Sequence, residues 1–160
     1  MKIIGIDPGL IQTGYGIVSV VKDTLHLVDL GVIKPRSRDP MPLRLRTIFR
    51  DVLELLKKYD PTVLAIEEAF YGKNVRSFLG LGQARGVAIL AAAEVDIPVY
   101  EYSPRKIKQA LTGNGNAHKD QVQFMVRVRM NIQEENIPPD ASDALAVAIC
   151  HEQQFRIGDL

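Results

Sequence analysis

Four carboxylates stand where this chain could do chemistry. Asp7 closes the β-branched run Lys2-Ile3-Ile4-Gly5-Ile6, and Glu67, with Glu68 beside it, closes Val63-Leu64-Ala65-Ile66. An acid that follows a buried strand sits at the rim of a sheet, where core meets solvent. If two such strands are neighbours and share a direction, their carboxylates converge. Asp140 and Asp143 open a helix after Pro138-Pro139, and residues three apart share one helix face. Four like charges gathered in one place repel and need a cation. All-oxygen donors favour magnesium or manganese over zinc. Magnesium takes only one or two carboxylates beside waters and phosphate oxygens. Four acids therefore fit a pair of ions about 4 Å apart, the arrangement for in-line phosphodiester cleavage. One ion would activate the attacking water and the other would stabilise the leaving 3′ oxygen. Plainer readings stand beside this one. Asp7-Pro8-Gly9 is also a turn signal, Asp140 could be a helix N-cap with Asp143 a first-turn acid, and pattern alone does not separate Glu67 from Glu68.

Positioning these acids is the task of a mixed set of elements. Lys2–Ile6 reads as a strand running into a turn, followed by strands over Gly14–Val21 and Leu25–Ile33 joined through Lys22-Asp23 as an antiparallel hairpin. The period then changes: Leu45, Ile48, Phe49, Val52, Leu53 and Leu56 fall at helical spacing, predicting an amphipathic helix over Leu43–Tyr59 that Pro61 stops. Thr62–Ile66 is an apolar strand for a sheet interior. A helix rich in small residues is predicted over Val75–Val95, a short strand over Pro98–Tyr100, and helices over Pro104–Leu111, Lys119–Met130 and Asp140–Gln154. The order of strands first, then alternation, then helices predicts an α/β domain with a mixed sheet. With 160 residues, one domain spanning 1–160 is expected.

Net charge is only +1, so composition does not announce a polyanion partner, but its distribution is uneven. Lys34 to Arg50 holds six Lys/Arg against Asp39 alone, and Ser103 to Met130 holds six against Asp120. From Asn131 onward six acids face only Arg156. Such asymmetry can orient a polyanion, although any one run could be a solvated face. The single cysteine, Cys150, allows no disulfide within the chain and no cysteine zinc site, which suits a reducing, cytoplasmic setting. Met1–Asp7 lacks the apolar core of a signal peptide, and no run reaches transmembrane length, so no membrane association is expected.

Read together, the segments Ile4-Gly5-Ile6-Asp7-Pro8-Gly9, Thr13-Gly14-Tyr15-Gly16, Ala65-Ile66-Glu67 with Phe70, Lys73-Asn74, Leu81-Gly82-Gln83-Ala84-Arg85-Gly86 and Asp140-Ala141-Ser142-Asp143-Ala144-Leu145-Ala146 resemble the RuvC family, the bacterial Holliday-junction resolvases. The resemblance implies an RNase H-like fold with a mixed five-stranded sheet flanked by helices, and a homodimer nicking two opposed strands of a four-way DNA junction. It implies two magnesium ions per active site, with manganese expected to substitute, held by Asp7, Glu67, Asp140 and Asp143. It thereby selects Glu67 over Glu68. The family's basic positions near the scissile phosphate fall on Lys108 and Lys119. The RuvA–RuvB branch-migration complex is the partner it implies. Ending at Leu160, the chain is expected to lack the longer basic tail of some relatives, and Glu68 adds a charge beside the site. The Asp7-to-Gly14 stretch also resembles the phosphate hairpin of sugar-kinase and actin-like ATPases. A non-catalytic junction binder and a ribonuclease H are the other rivals.

Two further expectations follow. Phe70, three residues beyond Glu67 and followed by Lys73, Asn74 and Arg76, is expected to contact DNA, with Phe70 as a wedge stacking on an exposed base at the crossover. Gly80, Gly82, Ala84, Gly86, Ala88, Ala91 and Ala92 leave the Val75–Val95 helix with little side-chain bulk, which predicts close approach by a second copy. Packing against its own sheet is the alternative.

Overall fold

The computed structural model describes residues 1–69, 74–133 and 136–158, with residues 157 and 158 in backbone only. Five strands, β1 (Lys2–Asp7), β2 (Thr13–Val21), β3 (Thr24–Ile33), β4 (Val63–Glu67) and β5 (Val99–Tyr102), form one sheet in the order β3-β2-β1-β4-β5. β2 is antiparallel to both β1 and β3, while β1, β4 and β5 run parallel. The sheet is therefore mixed, as the sequence predicts. The β2–β3 turn places Lys22 and Asp23 both at positive φ, 47° and 61°, the twist that a two-residue hairpin requires.

The helices are α1 (Met41–Tyr59), α2 (Val75–Ala93), α3 (Pro104–Thr112), α4 (Lys119–Met130) and α5 (Pro139–Gly158). α1 starts two residues before the predicted Leu43, because Pro42 sits in the first turn, where no N–H is needed. It ends at Asp60, whose left-handed backbone (φ 46°) turns its N–H onto the Leu56 carbonyl, so termination precedes Pro61. β5 extends past Tyr100 to Tyr102 because its pairing with β4 continues through Glu67.

Strand alternation divides the core into two layers. Ile4, Ile6, Ile17, Leu64 and Ile66 face α1 and α2. Ile3, Val18, Val63 and Ala65 face α3, α4 and α5. α5 lies across β1 and β2 and is almost wholly buried from Ala141 to Glu152. Glycines let it lie close: a Cβ at Gly5 would stand 2.0 Å from the Ala144 carbonyl oxygen, and one at Gly14 2.0 Å from that of Asp140.

The small residues of α2 divide by face. Gly80, Ala84, Ala88, Ala91 and Ala92 are buried, the alanines in the layer shared with α1. Of the seven residues of the stripe, Gly82 and Gly86 alone are exposed, and a Cβ at either meets nothing within 4 Å. Most of the stripe is explained by packing against the chain's own core, and the expectation of a second copy narrows to those two glycines and their exposed neighbours.

Candidate active site

Period-two alternation decides where the strand-end acids point. Asp7 shares its face with Ile3 and Gly5, and Glu67 with Val63 and Ala65, the face covered by α5. β1 and β4 run parallel with Ile6 opposite Ile66, so Asp7 and Glu67 lie one step further along adjacent strands. Glu68 falls on the opposite parity and is exposed. Its N–H donates to the Tyr102 carbonyl at 2.9 Å. The pleat thus separates the two glutamates that residue pattern leaves equal.

α5 supplies the other half. Its first turn carries Asp140 and Asp143 over the ends of β1 and β2. Carboxylate oxygens of Asp7, Asp140 and Asp143 lie within 4.8 Å of one another. Glu67 stands outside that trio, though its charge reaches Asp7 and Asp143. Burial, then Asp143, Asp140 and Glu67, push the Asp7 carboxyl up to about 8, against a partial offset from Lys119. The Glu67 carboxyl is raised by burial and then by Asp143, with Lys119 and Lys108 offsetting.

The Lys119 ammonium donates to Asp143 at 2.7 Å, and this bond is the main cause of its raised pKa. Lys108 joins Glu67, Lys119 and Asp143 around a cleft of about 330 Å³, walled on its apolar side by Ile107, Val122 and Ala146. All six residues expected to be catalytic, Asp7, Glu67, Lys108, Lys119, Asp140 and Asp143, therefore gather at one end of the sheet.

Three supporting residues escape a reading by residue type. Gln12 donates its side-chain amide to Asp140. Thr13, fully buried, clamps the loop before it, donating to the Gly9 carbonyl at 2.9 Å and accepting the Gly9 N–H at 3.2 Å. Arg85 donates Nε to the Glu67 carbonyl at 3.1 Å and pairs with Glu101, bracing the end of β4. Their sequence signals are indirect: Gln12 lies near Asp7, and Thr13 and Arg85 fall within segments that carry the family resemblance without any assigned role.

Of the expected DNA contacts, Asn74 caps α2 by accepting the Ser77 N–H at 3.2 Å, and Arg76 is exposed in the first turn. Phe70 and Lys73 lie outside the described residues.

The donor set consists of carboxylate oxygens alone, and burial beside the other acids raises the Asp7 carboxyl far above its ordinary range. Both facts fit a hard divalent cation. A mixed sheet in this strand order, with acids on β1, β4 and the last helix, defines the class: an RNase H-like nuclease domain. The model of the family described as crossover junction endodeoxyribonuclease RuvC matches residues 3–151, and the chain belongs to that family, one of divalent-metal nucleases. It is 48% identical over 160 residues to the RuvC of Citrifermentans bemidjiense, covering 100% of this chain and 97% of that one. It is 47% identical over 154 residues to the RuvC of Dehalococcoides mccartyi, covering 96% and 92%. A solved structure of Thermus thermophilus RuvC in complex with Holliday junction substrate superposes with a TM-score of 0.92 at 36% identity, covering 99% of this chain and 96% of that one.

Proposed function

We propose that residues 1–160 act as one nuclease domain that resolves four-way DNA junctions by magnesium-dependent hydrolysis, with paired symmetric nicks from a homodimer. The observation that carries this reading is the convergence of Asp7, Asp140 and Asp143 within 4.8 Å, with Asp143 also lining a cleft together with Glu67 and two lysines. In it, Asp7, Glu67, Asp140 and Asp143 hold two magnesium ions. When bound, such ions supply an activated water and a clamp on the leaving oxygen. Gln12 holds Asp140 in orientation, and Arg85 fixes the strand end that presents Glu67. Lys119 and Lys108 neutralise charge that builds on the phosphate. Manganese substitutes, and calcium supports binding without cutting. The RuvA–RuvB branch-migration complex is the partner and the cytoplasm the setting. Phe70, Lys73, Asn74 and Arg76 contact the junction beyond the scissile phosphate. The deciding assay compares a four-way junction, a linear duplex and an RNA–DNA hybrid, each with and without magnesium. Cutting confined to the junction with magnesium is expected, and preferential cutting of the hybrid would reverse the assignment.

Lys119→Ala and Lys108→Ala should each slow cleavage by on the order of 10²-fold, the size of losing one aimed donor at a developing charge. Junction affinity should change much less. Equal losses of rate and affinity, with a shallower salt dependence, would mark the lysine as an ordinary phosphate contact.

Support for the dimer lies on α2. Val75, Leu79 and Leu90 are 53%, 60% and 54% exposed and share a helix face with outward Gly82 and Gly86. An apolar, exposed stripe with no bulk at its middle suits a two-fold helix pair. Leu79→Glu with Leu90→Glu should sediment as a monomer and nick one strand without its opposite. A wild-type monomer that still makes paired nicks at working concentration would contradict the dimer.

A further inference from the structure

We propose that a basic groove beside the active site, built by Lys34, Arg36 and Arg44 around Ile11, seats a backbone phosphate of the DNA strand being cut. This rests on the junction-nuclease reading above. The groove has a volume of about 290 Å³ and is lined by Ile11, Lys34, Pro35, Arg36, Ser37 and Arg44. Three cations and a serine hydroxyl line it, and no acid does. None of the three cations has an acidic partner among the described residues. Lys34–Ser37 connect β3 to α1, and Arg44 projects from the start of α1. Three of the six cations in the basic run from Lys34 to Arg50, which the catalytic assignment leaves unused, thus meet at one concavity.

Arg44 makes this more than a solvated charge run. Its Nη2 donates to the Leu10 carbonyl at 2.6 Å, which pins the guanidinium to the loop after β1. Its Nε is buried with no hydrogen-bond partner among the described residues. The bond to Leu10 holds the guanidinium in one orientation, and a fixed planar donor fork matches the oxygens of a phosphodiester. The position favours DNA over another anion. Ile11, 75% exposed, immediately precedes Gln12, which holds Asp140. Consecutive Cα atoms are about 3.8 Å apart and a strand rises about 3.4 Å per nucleotide. The groove is therefore a few nucleotides at most from a phosphate at the acidic cluster. Ile11 offers an apolar surface for the intervening sugar. The seat would set the path by which the strand leaves the cut.

The test keeps Arg44, which also holds the loop, and uses the double variant Lys34→Ala, Arg36→Ala, both positions being exposed. Junction affinity is measured in calcium across a salt series. One lost phosphate contact should make the log–log salt slope shallower by about 0.9 and weaken binding roughly tenfold at low salt, with unchanged melting temperature. Phosphates flanking the scissile bond are then replaced one at a time by neutral methylphosphonate. One position should weaken wild-type binding and weaken the double variant, which keeps Arg44, markedly less. An unchanged slope overturns the seat, and so do methylphosphonate losses equal in variant and wild type. Wild-type protein that binds no junction would instead sink the junction reading, and the seat with it.

Discussion

Asp7→Asn is expected to lower junction cleavage by at least about 10³-fold, to leave junction binding intact, and to stabilise the metal-free protein. The first two effects follow from position. Asp7 belongs to the trio with Asp140 and Asp143, and removing a negative charge does not weaken phosphate contacts. The third follows from electrostatics. With its carboxyl pushed up from 3.8 to about 8 by burial and then Asp143, Asp140 and Glu67, the folded state disfavours the charged form. A carboxyl whose pKa is raised on folding contributes stability that is complete below its unfolded value and is lost as pH climbs through the folded one. The metal-free protein should therefore weaken between about pH 4 and pH 8. Each unit of displacement costs about 1.4 kcal/mol. Relaxation and water entry take back much of that, so a gain of about 2 kcal/mol at pH 8 is expected from the asparagine, or roughly 4–8 °C in Tm. Magnesium should stabilise wild type more at pH 8 than at pH 6 and the variant little at either. Thermal melts in chelator and in magnesium at the two pH values check this. A variant that cuts at near wild-type rate would remove Asp7 from the site, and melts indifferent to pH and magnesium would refute the electrostatic account.

The same residue shows how far sequence alone reaches. Ile3-Ile4-Gly5-Ile6 and Val63-Leu64-Ala65-Ile66 are short β-branched or apolar runs whose period leaves little choice but buried strands, and acids at their ends are conspicuous. The i, i+3 spacing of Asp140 and Asp143 likewise predicts a shared face, and both point into the site. What residue type conceals is pairing between distant segments. Glu67 differs from Glu68 only once β4 is known to lie parallel to β1 in register, because parity then sends one toward α5 and the other away. Gln12 on Asp140 spans 128 positions, and a neutral amide in a loop carries no local pattern. The α2 stripe is ambiguous for a related reason. Small residues permit close approach on any helix face, and only the packed layer shows that Ala84, Ala88, Ala91 and Ala92 serve the chain's own core. Arg85 sits in an otherwise uncharged helical stretch, and its bracing of β4 depends on α2 passing the end of the sheet.

Gly14→Ala is expected to cost at least about 10²-fold in cleavage although it removes none of the acids. Glycine is required here by space rather than by backbone angle. A Cβ at position 14 would stand 2.0 Å from the Asp140 carbonyl oxygen, 2.2 Å from its carbon and 2.9 Å from the Ala141 nitrogen. All three are backbone atoms, so no side chain can swing aside. The first turn of α5 must lift from β2, carrying Asp140 and Asp143 away from Asp7. A displacement near 1 Å is worth about 10²-fold in a reaction that depends on alignment, and the overpacking itself should cost about 1–3 kcal/mol of stability. Gly16→Ala supplies the contrast. Its Cβ meets chiefly the Leu145 side chain, at 2.6 Å, with the Leu145 nitrogen at 3.0 Å. Leucine can partly rotate away, and the contact is more than a turn along α5 from Asp140. That variant should lose comparable stability and much less activity. Rates measured well below both melting temperatures, with a magnesium titration of each protein, separate displacement from unfolding. The Gly14 variant should need far more magnesium for half-maximal cutting, whereas the Gly16 variant should track wild type. Equal magnesium requirements with near wild-type cutting by folded Gly14→Ala would show that the close approach of α5 to β2 does not set the geometry of the acidic site.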